Sequence, residues 1–532
     1  MNKEKISINN IIIGAGPSGL QLAYYFEKYD IEYIILERNS TCGSLYQNYS
    51  DNKKLLSINK KYNNHDNYDY NLRYDWNTLL NDENFSFKDY SDDYYPYSKD
   101  LHKYLNDFSI KFKLKIKYNE NVKKILKNKF IYEIETESEI YICNKLIIAT
   151  GLSKPIIPKC KKYIKNNENI KHISEFDKNY FLEIENLTKF KNKSVLLVGL
   201  GNSSLEISNI LYNYCSNILI TGNQRDLSII SHYDGDIRCK YMNFYDTFLL
   251  NIMNGIDNKI LTDKEVIVEN SNGKYYILSH CEDGILFCNS IKYFDYIIYC
   301  TGKEFDLSIF DNSIIIKMNG KYPQIKFNYE SIDYQNLFFI GSLMHSLDYK
   351  KNSGGFIKGY RYLIKLFFKT NYMITIDKPI NFNFNGTLQI YHDLAYLIYE
   401  RINYSSSLFN LPDYITDIFY YDKESNNIKY YKDNIYGLRL NLYNYYNDTN
   451  HLCVLKLRYG EKINDFKKIG IYNKFNPTLL HPEILIYYKN ENNIFIIKDK
   501  IIFEENLVHN FEDKENYYDK LVRSLKSCIV FE

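Results

Sequence analysis

Apolar and polar positions follow the same order in two separate stretches of the chain. Residues 9–26, "NNIIIGAGPSGLQLAYYF", and residues 194–208, "SVLLVGLGNSSLEIS", each run from a short apolar block through glycines into a helical period. The first stretch predicts a strand, a helix over 18–29 and a second strand over 33–38. The second predicts a helix over 202–214 between the strands "SVLLVG" and "NILITG". Both stretches therefore have the order of a βαβ unit.

The remaining apolar runs predict strands and a helix around these two units. Short alternating runs over 111–143, "LKIKYN", "VKKILK", "FIYEIE" and "IYICNK", predict a small antiparallel sheet. Continuous apolar strands end in "ATG" at 149–151, in "CTG" at 300–302 and in "FFIG" at 338–341. A long helix is predicted within 353–368, after two glycines. The pattern as a whole is typical of α/β folds.

The first glycine loop has the chemistry of a dinucleotide site. Gly14 permits a tight turn, Gly16 lets the backbone approach a pyrophosphate, and Gly19 lets helix and strand pack closely. Glu37 closes the next strand, where a carboxylate accepts hydrogen bonds from an adenosine ribose. The alternative is an α/β turn that binds no nucleotide. The predicted contacts are Gly14, Gly16, Pro17, Ser18, Gly19, Glu37 and Arg38.

The second glycine loop has a weaker form of the same motif. Gly199 and Gly201 take the first two glycine positions, and Ser204 stands in the third. The following strand ends at Gly222 without an acid to select NADH, and Arg225 is near enough to meet a 2′-phosphate. We therefore expect NADPH here, and the alternative is a degenerate unit that binds no nucleotide. The predicted contacts are Gly199, Gly201, Asn202, Ser203, Ser204, Arg225, Thr301 and Gly302.

Composition and charge exclude several classes of protein. The formal net charge is +2, so no nucleic-acid partner is expected. No run of about 18 apolar residues occurs, and we expect no membrane span. A signal peptide is not recognisable before the first strand, which predicts a cytoplasmic protein. The ten cysteines form no C-x-x-C pair and no metal-ligand spacing, so free thiols and no metal site are expected.

The order of the motifs resembles the flavoproteins that have two dinucleotide-binding domains. "GAGPSGL" near the start, "ATG" in mid-chain and a late strand–glycine–helix element carry this resemblance, and "GxGNSS" is similar to the flavin-containing monooxygenases. The resemblance implies FAD in the first site. It also implies that a helix N-terminus points at the flavin pyrimidine. The further residues it places at FAD are Val122, Ala149, Thr150, Gly151, Gly341, Gly354 and Gly355.

Longer strings resemble one family more closely. "KLLSINKKYN", "NLRYDWNTLL", "SHYDGDIR", "HSLDYKKNSGGFIKGYRY" and "LLHPEILIYY" are similar to the FAD-dependent oxidoreductase domain-containing flavoproteins linked to endoplasmic-reticulum-associated degradation. The similarity spans about residues 10 to 490 and is weaker towards the C-terminus. It implies partners in protein quality control, and it makes the lumen of the endoplasmic reticulum the alternative location.

The motifs and the resemblance together predict the domain organisation. We expect an α/β fold with two Rossmann-like dinucleotide-binding domains and a C-terminal mixed α/β extension. The first part of the FAD-binding domain is placed at 1–155 and its second part at 303–375. An NAD(P)H-binding domain over 156–302 is inserted between them, and the family-specific extension covers 376–532.

Two nucleotide sites in one chain suggest an electron relay. NADPH would reduce a non-covalent flavin, which would pass electrons onward in monooxygenase-like chemistry. A thiol reductase is less expected because the chain has no C-x-x-C pair. A slow oxidase, which passes electrons to oxygen alone, is a further alternative. Asn59, near the flavin by resemblance, could hold an oxygen-derived group or its water, and His345 could donate a proton; a plain loop or structural role is the alternative for each. Trp76 is expected to be a core anchor, with stacking on the flavin as the alternative. The competing hypothesis is a flavin-loaded scaffold with little or no turnover.

Overall fold

The computed structural model of the protein describes most of the chain. The described residues are 4–157, 168–199, 201–221, 266–271, 274–279, 293–348, 352–372, 379–383, 389–422, 424–435, 451–458, 480–491, 495–503 and 517–528.

Short strands and four helices make up the described part before residue 158. The strands are β1 (Lys5–Ser7), β2 (Asn10–Ile13), β3 (Ile34–Leu36), β4 (Ile116–Lys117), β5 (Val122–Asn128), β6 (Ile131–Thr136), β7 (Ile140–Cys143), β8 (Lys145–Ile148) and β9 (Lys154–Pro155). The helices are α1 (Pro17–Lys28), α2 (Ser44–Gln47), α3 (Tyr68–Asn71) and α4 (Ser98–Lys111), with a 3-10 helix over Phe87–Asp89.

The middle of the chain alternates strands and helices. Its elements are β10 (Ile170–His172), α5 (Ile184–Thr188), β11 (Ser194–Val198), α6 (Asn202–Leu211), β12 (Asn217–Thr221), β13 (Val266–Ser271), β14 (Lys274–Ser279), β15 (Tyr293–Phe294) and β16 (Tyr296–Tyr299), with 3-10 helices over Ile173–Glu175 and Tyr180–Leu182. After them come β17 (Lys303–Glu304), β18 (Met318–Asn319), β19 (Tyr322–Pro323), β20 (Leu337–Phe339), a 3-10 helix over Gly341–Ser346 and α7 (Ile357–Asn371).

The C-terminal part is dominated by longer strands. Its elements are β21 (Ile380–Asn383), α8 (Gln389–Tyr404), α9 (Ser406–Asn410), β22 (Ile415–Asp422), β23 (Asn427–Ile435), β24 (His451–Arg458), β25 (His481–Lys489), β26 (Phe495–Ile502) and α10 (Asp519–Cys528). From β21 to β26 these strands form one antiparallel sheet.

A parallel sheet holds the first glycine loop. Its strand order is β20-β8-β2-β3-β4, and Ile12 on β2 pairs with Ile147 of β8 and Ile35 of β3. These three side chains are fully buried. Parallel sheets are covered on both faces, which is why β2 and β8 are continuous apolar runs rather than alternating ones. The carboxyl ends of β2, β8 and β20 lie side by side at one edge.

One predicted strand has a different partner from the one expected. The run "LKIKYN" was expected in the small antiparallel sheet, but its strand β4 pairs in parallel with β3 through Ile35 and Ile116. In the small sheet the outer place is taken by β1, which runs parallel to β7. A two-residue strand has too few alternating positions to specify its partner, so tertiary packing decides the pairing.

A second parallel sheet holds the second glycine loop. Its order is β10-β16-β11-β12. Two linkers join this unit to the first, and they pair as the antiparallel strands β9 and β17. An ion pair between Lys154 and Glu304, 2.9 Å apart, spans the two linkers. The expected fold class is therefore confirmed: two Rossmann-like units, one inserted in the other, and a mixed α/β extension. The exact domain boundaries stay predictions.

The C-terminal extension is fastened to the first domain by polar contacts at the junction of α8 and α9. Arg73 donates hydrogen bonds to the carbonyl oxygens of Ser405 and Ile402. Asp69 accepts hydrogen bonds from the backbone N–H and the hydroxyl of Ser406. Buried partners of this kind make the contact directional rather than merely apolar. Among the described helices, none combines the length and the apolar character needed to cross a membrane.

Candidate functional site

The first glycine loop closes around the start of α1. Gly14 has a φ of +106°, and a Cβ there would lie 3.0 Å from the carbonyl oxygen of Ala149. A Cβ on Gly19 would lie 2.1 Å from the carbonyl oxygen of Gly14. By contrast, a Cβ on Gly16 would meet no protein atom within 4 Å. Two of the three glycines thus allow close packing, and the third faces open space beside the helix N-terminus.

Glu37 links this loop to the end of β3. Its carboxylate is buried and accepts hydrogen bonds from the backbone N–H of Ala15 at 2.8 Å and from the backbone N–H of Asn39 at 3.0 Å. Arg38, the next residue, is exposed. At the helix start, Pro17 occupies the first turn of α1, where a missing N–H costs nothing.

Two further segments meet the loop at the same edge of the sheet. A Cβ on Gly341, where φ is +74°, would lie 2.5 Å from the side chain of Ser18. Gly151 has a φ of +64° and approaches the hydroxyl of Ser342. Thr150, which precedes Gly151, is exposed. Val122 is buried at the start of β5. The structure thus brings the "ATG" strand end and the late glycine of the motif to the start of α1.

Helices α1 and α7 lie side by side and point the same way. Phe368 in the last turn of α7 contacts Tyr25 and Tyr29 near the end of α1, with ring centroids 5.4 Å and 5.3 Å apart. Since α1 follows β2 and α7 follows β20, parallel strands of the same sheet, both helices start on the side of its carboxyl edge. Two positive helix ends therefore converge there.

The loop before α7 encloses a buried histidine–aspartate pair. His345 Nδ1 lies 2.8 Å from Asp348 Oδ1, and both residues are almost fully buried. The other carboxylate oxygen of Asp348 accepts a hydrogen bond from the backbone N–H of Gly354 at 3.0 Å. A Cβ on Gly355 would lie 3.0 Å from the imidazole ring of His345. The two predicted glycines therefore hold this pair in place, and Asp348 fixes the orientation of the ring.

Two buried amides lie close together on neighbouring segments. Asn59 forms an antiparallel bridge with Asp75, and its Oδ1 has no hydrogen-bond partner among the described residues. Asn77 accepts a hydrogen bond from Ser57 at 2.6 Å, while its Nδ2 has no partner in the same part of the chain. Asn77 was not predicted, because in an Asn-rich chain only its burial distinguishes it. An unpaired buried amide marks a place where a ligand or water is needed.

A turn over residues 72–78 is clamped to α7. Arg361, fully buried, donates hydrogen bonds to the carbonyl oxygens of Asp75, Thr78 and Leu72 at 3.0, 2.8 and 2.6 Å. Trp76 in this turn is half-buried rather than a core anchor, and the ammonium of Lys358 lies 3.4 Å from its ring centroid. Neither Arg361 nor Lys358 was predicted as a site residue. In the sequence both are ordinary helix residues, and only the fold brings them to this turn.

The second glycine loop repeats the geometry of the first. Gly199 has a φ of +120°, and a Cβ there would lie 2.5 Å from the carbonyl oxygen of Cys300, as Gly14 does with Ala149. A Cβ on Gly201 would meet no protein atom within 4 Å, like that of Gly16. Ser204 is fully buried in the third position, and its hydroxyl accepts a hydrogen bond from the Gly201 N–H at 3.2 Å. The serine is therefore accommodated.

The remaining predicted residues of the second site fall at its margins. Asn202 begins α6, and its Oδ1 is buried without a partner among the described residues; Ser203 follows it, half-buried. Thr301 donates a hydrogen bond to the carbonyl oxygen of Ile156 in the paired linkers. Gly302 has a φ of +80° and is exposed. Arg225 lies outside the described residues.

One loop of the first domain contacts the second domain directly. Lys53 forms an ion pair with Glu206 on α6, one turn beyond Gly201. Asp51 pairs with Lys178 at 2.7 Å and accepts a hydrogen bond from Asn179 at 2.9 Å. These contacts link the loop that carries Asp51 and Lys53 to the second domain near its glycine loop.

Several cysteines of the described part of the chain are buried. Cys42, Cys143, Cys215, Cys300 and Cys453 are free thiols in the described part of the chain. Burial raises the pKa of Cys300 and of Cys215 to about 12, so both stay protonated near neutral pH.

The fold and the two loops define an oxidoreductase of the flavin-dependent, two-dinucleotide-fold class. A family model described as pyridine nucleotide-disulphide oxidoreductase matches residues 11–341, and the chain belongs to this family.

Curated relatives agree with the expected resemblance. The chain is 27% identical over 523 residues to FAD-dependent oxidoreductase domain-containing protein 2 of Mus musculus, which covers 90% of this chain and 76% of the relative. The protein of the same name in Danio rerio is 27% identical, with 76% of this chain and 64% of the relative covered. A solved flavin-containing monooxygenase from Stenotrophomonas maltophilia is 14% identical with a TM-score of 0.49, over 69% of this chain and 100% of that one.

Proposed function

We propose that the protein binds FAD non-covalently at the first glycine loop and is reduced there by NADPH bound at the second. The observation that carries this proposal is the repeated loop geometry. In both loops the first glycine packs on a strand end, while Gly16 and Gly201 face open space at a helix N-terminus. That space is where a dinucleotide pyrophosphate is held by backbone N–H groups.

The residues at the first loop fit FAD. Glu37 offers carboxylate oxygens next to the loop, and Ser18 sits against Gly341 at the start of α1. Bound FAD would accept a hydride and pass electrons onward. Asp348 holds His345 in one orientation at the start of the loop before α7. The buried amides of Asn59 and Asn77 would bind the polar groups of a ligand that enters beside them.

Monooxygenase-like chemistry accounts for these features better than thiol chemistry. Among the described cysteines, burial raises the pKa of Cys42, Cys143, Cys215 and Cys300. A protonated thiol is a poor nucleophile. The unpaired atoms of the two amides instead suit small polar species such as oxygen-derived groups and water.

The test uses full-length protein loaded with FAD. NADPH is added without oxygen, and the absorbance of oxidised flavin is followed. We expect bleaching within seconds and slower bleaching with NADH. When oxygen is admitted, a monooxygenase-like site releases less hydrogen peroxide once a substrate is present, whereas an oxidase does not. Flavin that binds but stays oxidised with NADPH for hours would contradict the relay and leave a flavin-loaded scaffold.

A further inference from the structure

The end of α8 in the C-terminal extension is bonded to a buried cation of the first domain. Arg73 donates hydrogen bonds to the carbonyl oxygens of Ile402 and Ser405, at 3.0 and 3.1 Å. These carbonyls lie in and directly after the last turn of α8, where a helix has its negative pole and leaves carbonyl groups without intrahelical partners. Burial lowers the pKa of Arg73 to about 10, so its guanidinium stays charged at neutral pH. The charge of Arg73 therefore matches this helix end.

The start of α9 is bonded to the opposite charge. Asp69 accepts hydrogen bonds from the backbone N–H and the hydroxyl of Ser406, the first residue of α9. That N–H is one of those at a helix start that have no intrahelical partner. The ring centroid of Phe409 on α9 lies 4.7 Å from the guanidinium carbon of Arg73. Both helix ends at the α8–α9 junction are thus bonded to side chains of the first domain.

These two side chains stand at the beginning of the turn over residues 72–78. Asp69 lies in α3, which ends at Asn71, and Arg73 is the second residue of the turn. The indole N–H of Trp76 donates to the carbonyl oxygen of Arg73 at 3.0 Å. The hydrogen bonds described for the side chain of Arg73 both end in the extension, 329 and 332 residues later in the chain. The extension therefore holds the first residues of this turn.

The same turn carries one of the two unpaired amides and places the other. Asn77 belongs to the turn, and its backbone N–H donates to the carboxylate of Asp75 at 3.0 Å. Asn59 forms an antiparallel bridge with Asp75, so its backbone is paired with that of the turn. Nδ2 of Asn77 and Oδ1 of Asn59 are buried and have no hydrogen-bond partner among the described residues. A shift of the turn would move both atoms.

Two elements from distant parts of the chain hold the turn. Arg361 of α7 donates hydrogen bonds to three of its carbonyl oxygens. The α8–α9 junction adds the contacts of Arg73. We propose that the C-terminal extension completes the candidate site, with Arg73 as a positioning residue that holds the turn where Asn77 binds a ligand. The inference rests on the proposed function, which assigns that ligand to the buried amides.

Hydrogen–deuterium exchange in full-length, FAD-loaded protein tests the position of the turn directly. The readout is exchange at the backbone N–H groups of Asn77 and Thr78, which both donate to Asp75. We expect exchange about tenfold faster in Arg73→Met, because the turn loses its hydrogen bonds to the extension. Arg73→Lys keeps the positive charge and should lie between Arg73→Met and the wild type. Exchange at β8 is the internal reference and should not change.

A double variant tests whether Arg73 acts through Asn77. The flavin is reduced without oxygen by a stoichiometric amount of dithionite, and its reoxidation is followed once oxygen is admitted. We expect Arg73→Met and Asn77→Ala each to change the reoxidation rate about fivefold, the size expected for one hydrogen bond. The double variant should match Asn77→Ala alone, because non-additive effects mark residues that act together.

A control in the extension separates this role from a general loss of stability. Val454 is fully buried in a hydrophobic cluster of the C-terminal sheet that is distinct from the core shared with the first domain. Val454→Ala should lower the free energy of unfolding, since it removes buried methyl groups. It should change neither exchange at the turn nor reoxidation of the flavin. Equal acceleration of exchange in Val454→Ala and Arg73→Met would overturn the inference.

A milder variant keeps the inference testable should Arg73→Met fail to fold. The side chain of Asp69 is 43% exposed, and Asp69→Asn removes its charge while keeping its shape. Exchange at the turn should become about threefold faster, because the hydrogen bonds from Ser406 lose a charged acceptor. Asp66→Asn, at an exposed residue of the same segment, is the matched control and should follow the wild type.

The outcomes distinguish the inference from the proposed function. Unchanged exchange at the turn in Arg73→Met, or in Asp69→Asn where that variant replaces it, would overturn the inference and leave the proposed function intact. Effects on reoxidation that are absent, or that add up in the double variant, would also overturn it. Failure of the wild type to bind FAD would overturn both.

Discussion

The buried carboxylate of Glu37 accepts a hydrogen bond from the backbone N–H of Ala15, 2.8 Å away, across the first glycine loop. It thus positions the loop, and under the proposed function it also binds the ribose of FAD. We expect Glu37→Gln to weaken FAD binding about ten- to a hundredfold, since hydrogen bonds to a charged group contribute about 1.5–3 kcal/mol. Fluorescence titration of the apoprotein with FAD measures this. Glu83→Gln, on the surface, is the control and should leave the affinity unchanged.

Substitutions at two glycines of the first loop should have different effects on FAD affinity and on the stability of the fold. Gly19→Ala places a methyl group against the Gly14 carbonyl oxygen and should destabilise the fold by about 2–3 kcal/mol. Gly16→Ala has open space, so stability should change by less than about 0.5 kcal/mol while FAD affinity falls about tenfold or more. Urea unfolding of the apoprotein and FAD titration report the two effects. Equal loss of stability in both variants would contradict the geometry.

A substitution in the second glycine loop should change the dependence of flavin reduction on NADPH and leave FAD binding unchanged. Gly201→Ala fills the open space at the start of α6, where no protein atom lies within 4 Å of the added carbon. We expect about a tenfold higher concentration of NADPH for half-maximal flavin reduction, because the methyl group obstructs the pyrophosphate. The FAD content should stay the same as in the wild type. Unchanged NADPH dependence would show that this loop does not bind the reductant.

Local patterns predicted the parts of the site that depend on neighbouring residues. Gly14, Gly16 and Gly19 lie close together in the chain, so their spacing alone indicates the three contacts of one tight loop. Glu37 follows at the end of the next strand. The second loop begins with the same glycine spacing, so the same reasoning applies to Gly199 and Gly201. The strand β4 was assigned to the wrong sheet because its two residues carry too little alternation.

The groups that sequence reasoning missed depend on distant segments. Asn77 lies in a turn that Arg361 fastens to α7 through the carbonyl oxygen of Asp75, 286 residues earlier in the chain. Lys358 looks like an ordinary helix lysine in the sequence, since charged residues are frequent in this chain. It is buried where the turn that carries Trp76 packs on α7. No spacing rule connects these positions, and only the folded arrangement brings them together.

The ion pair between Lys53 and Glu206 should control how the two domains face each other. Both side chains are 24% exposed, so the pair adds only about 0–1 kcal/mol to stability. We expect Lys53→Glu and Glu206→Lys each to slow flavin reduction by NADPH, and the double variant to recover most of the rate. Stopped-flow reduction at low and high salt measures this, because salt screens exposed charges. The same exchange at Lys61 and Asp92, both within the first domain, is the control.

The buried pair of Arg401 and Asp433 should govern stability in acid. Burial opposes ionisation of Asp433, but Arg401, 2.7 Å away, and then Lys365 hold its pKa below the ordinary value. A depressed folded pKa contributes stability above the unfolded pKa, about 3.9 for an aspartate, and this contribution is lost as the pH falls towards the folded value. Wild-type stability should therefore decline below about pH 4.

Removing this carboxylate should lower stability at neutral pH and flatten the decline in acid. We expect Asp433→Asn to cost about 2 kcal/mol at pH 7, because Arg401 loses one charged partner and keeps Asp417. Urea unfolding of both proteins from pH 7 down to about pH 3 gives the difference in stability, which should shrink as the wild-type carboxylate loses its advantage. Asp82→Asn, at an exposed ion pair, should follow the wild-type curve. A difference between Asp433→Asn and wild type that stays constant across this range would show that the charge of Asp433 does not stabilise the extension.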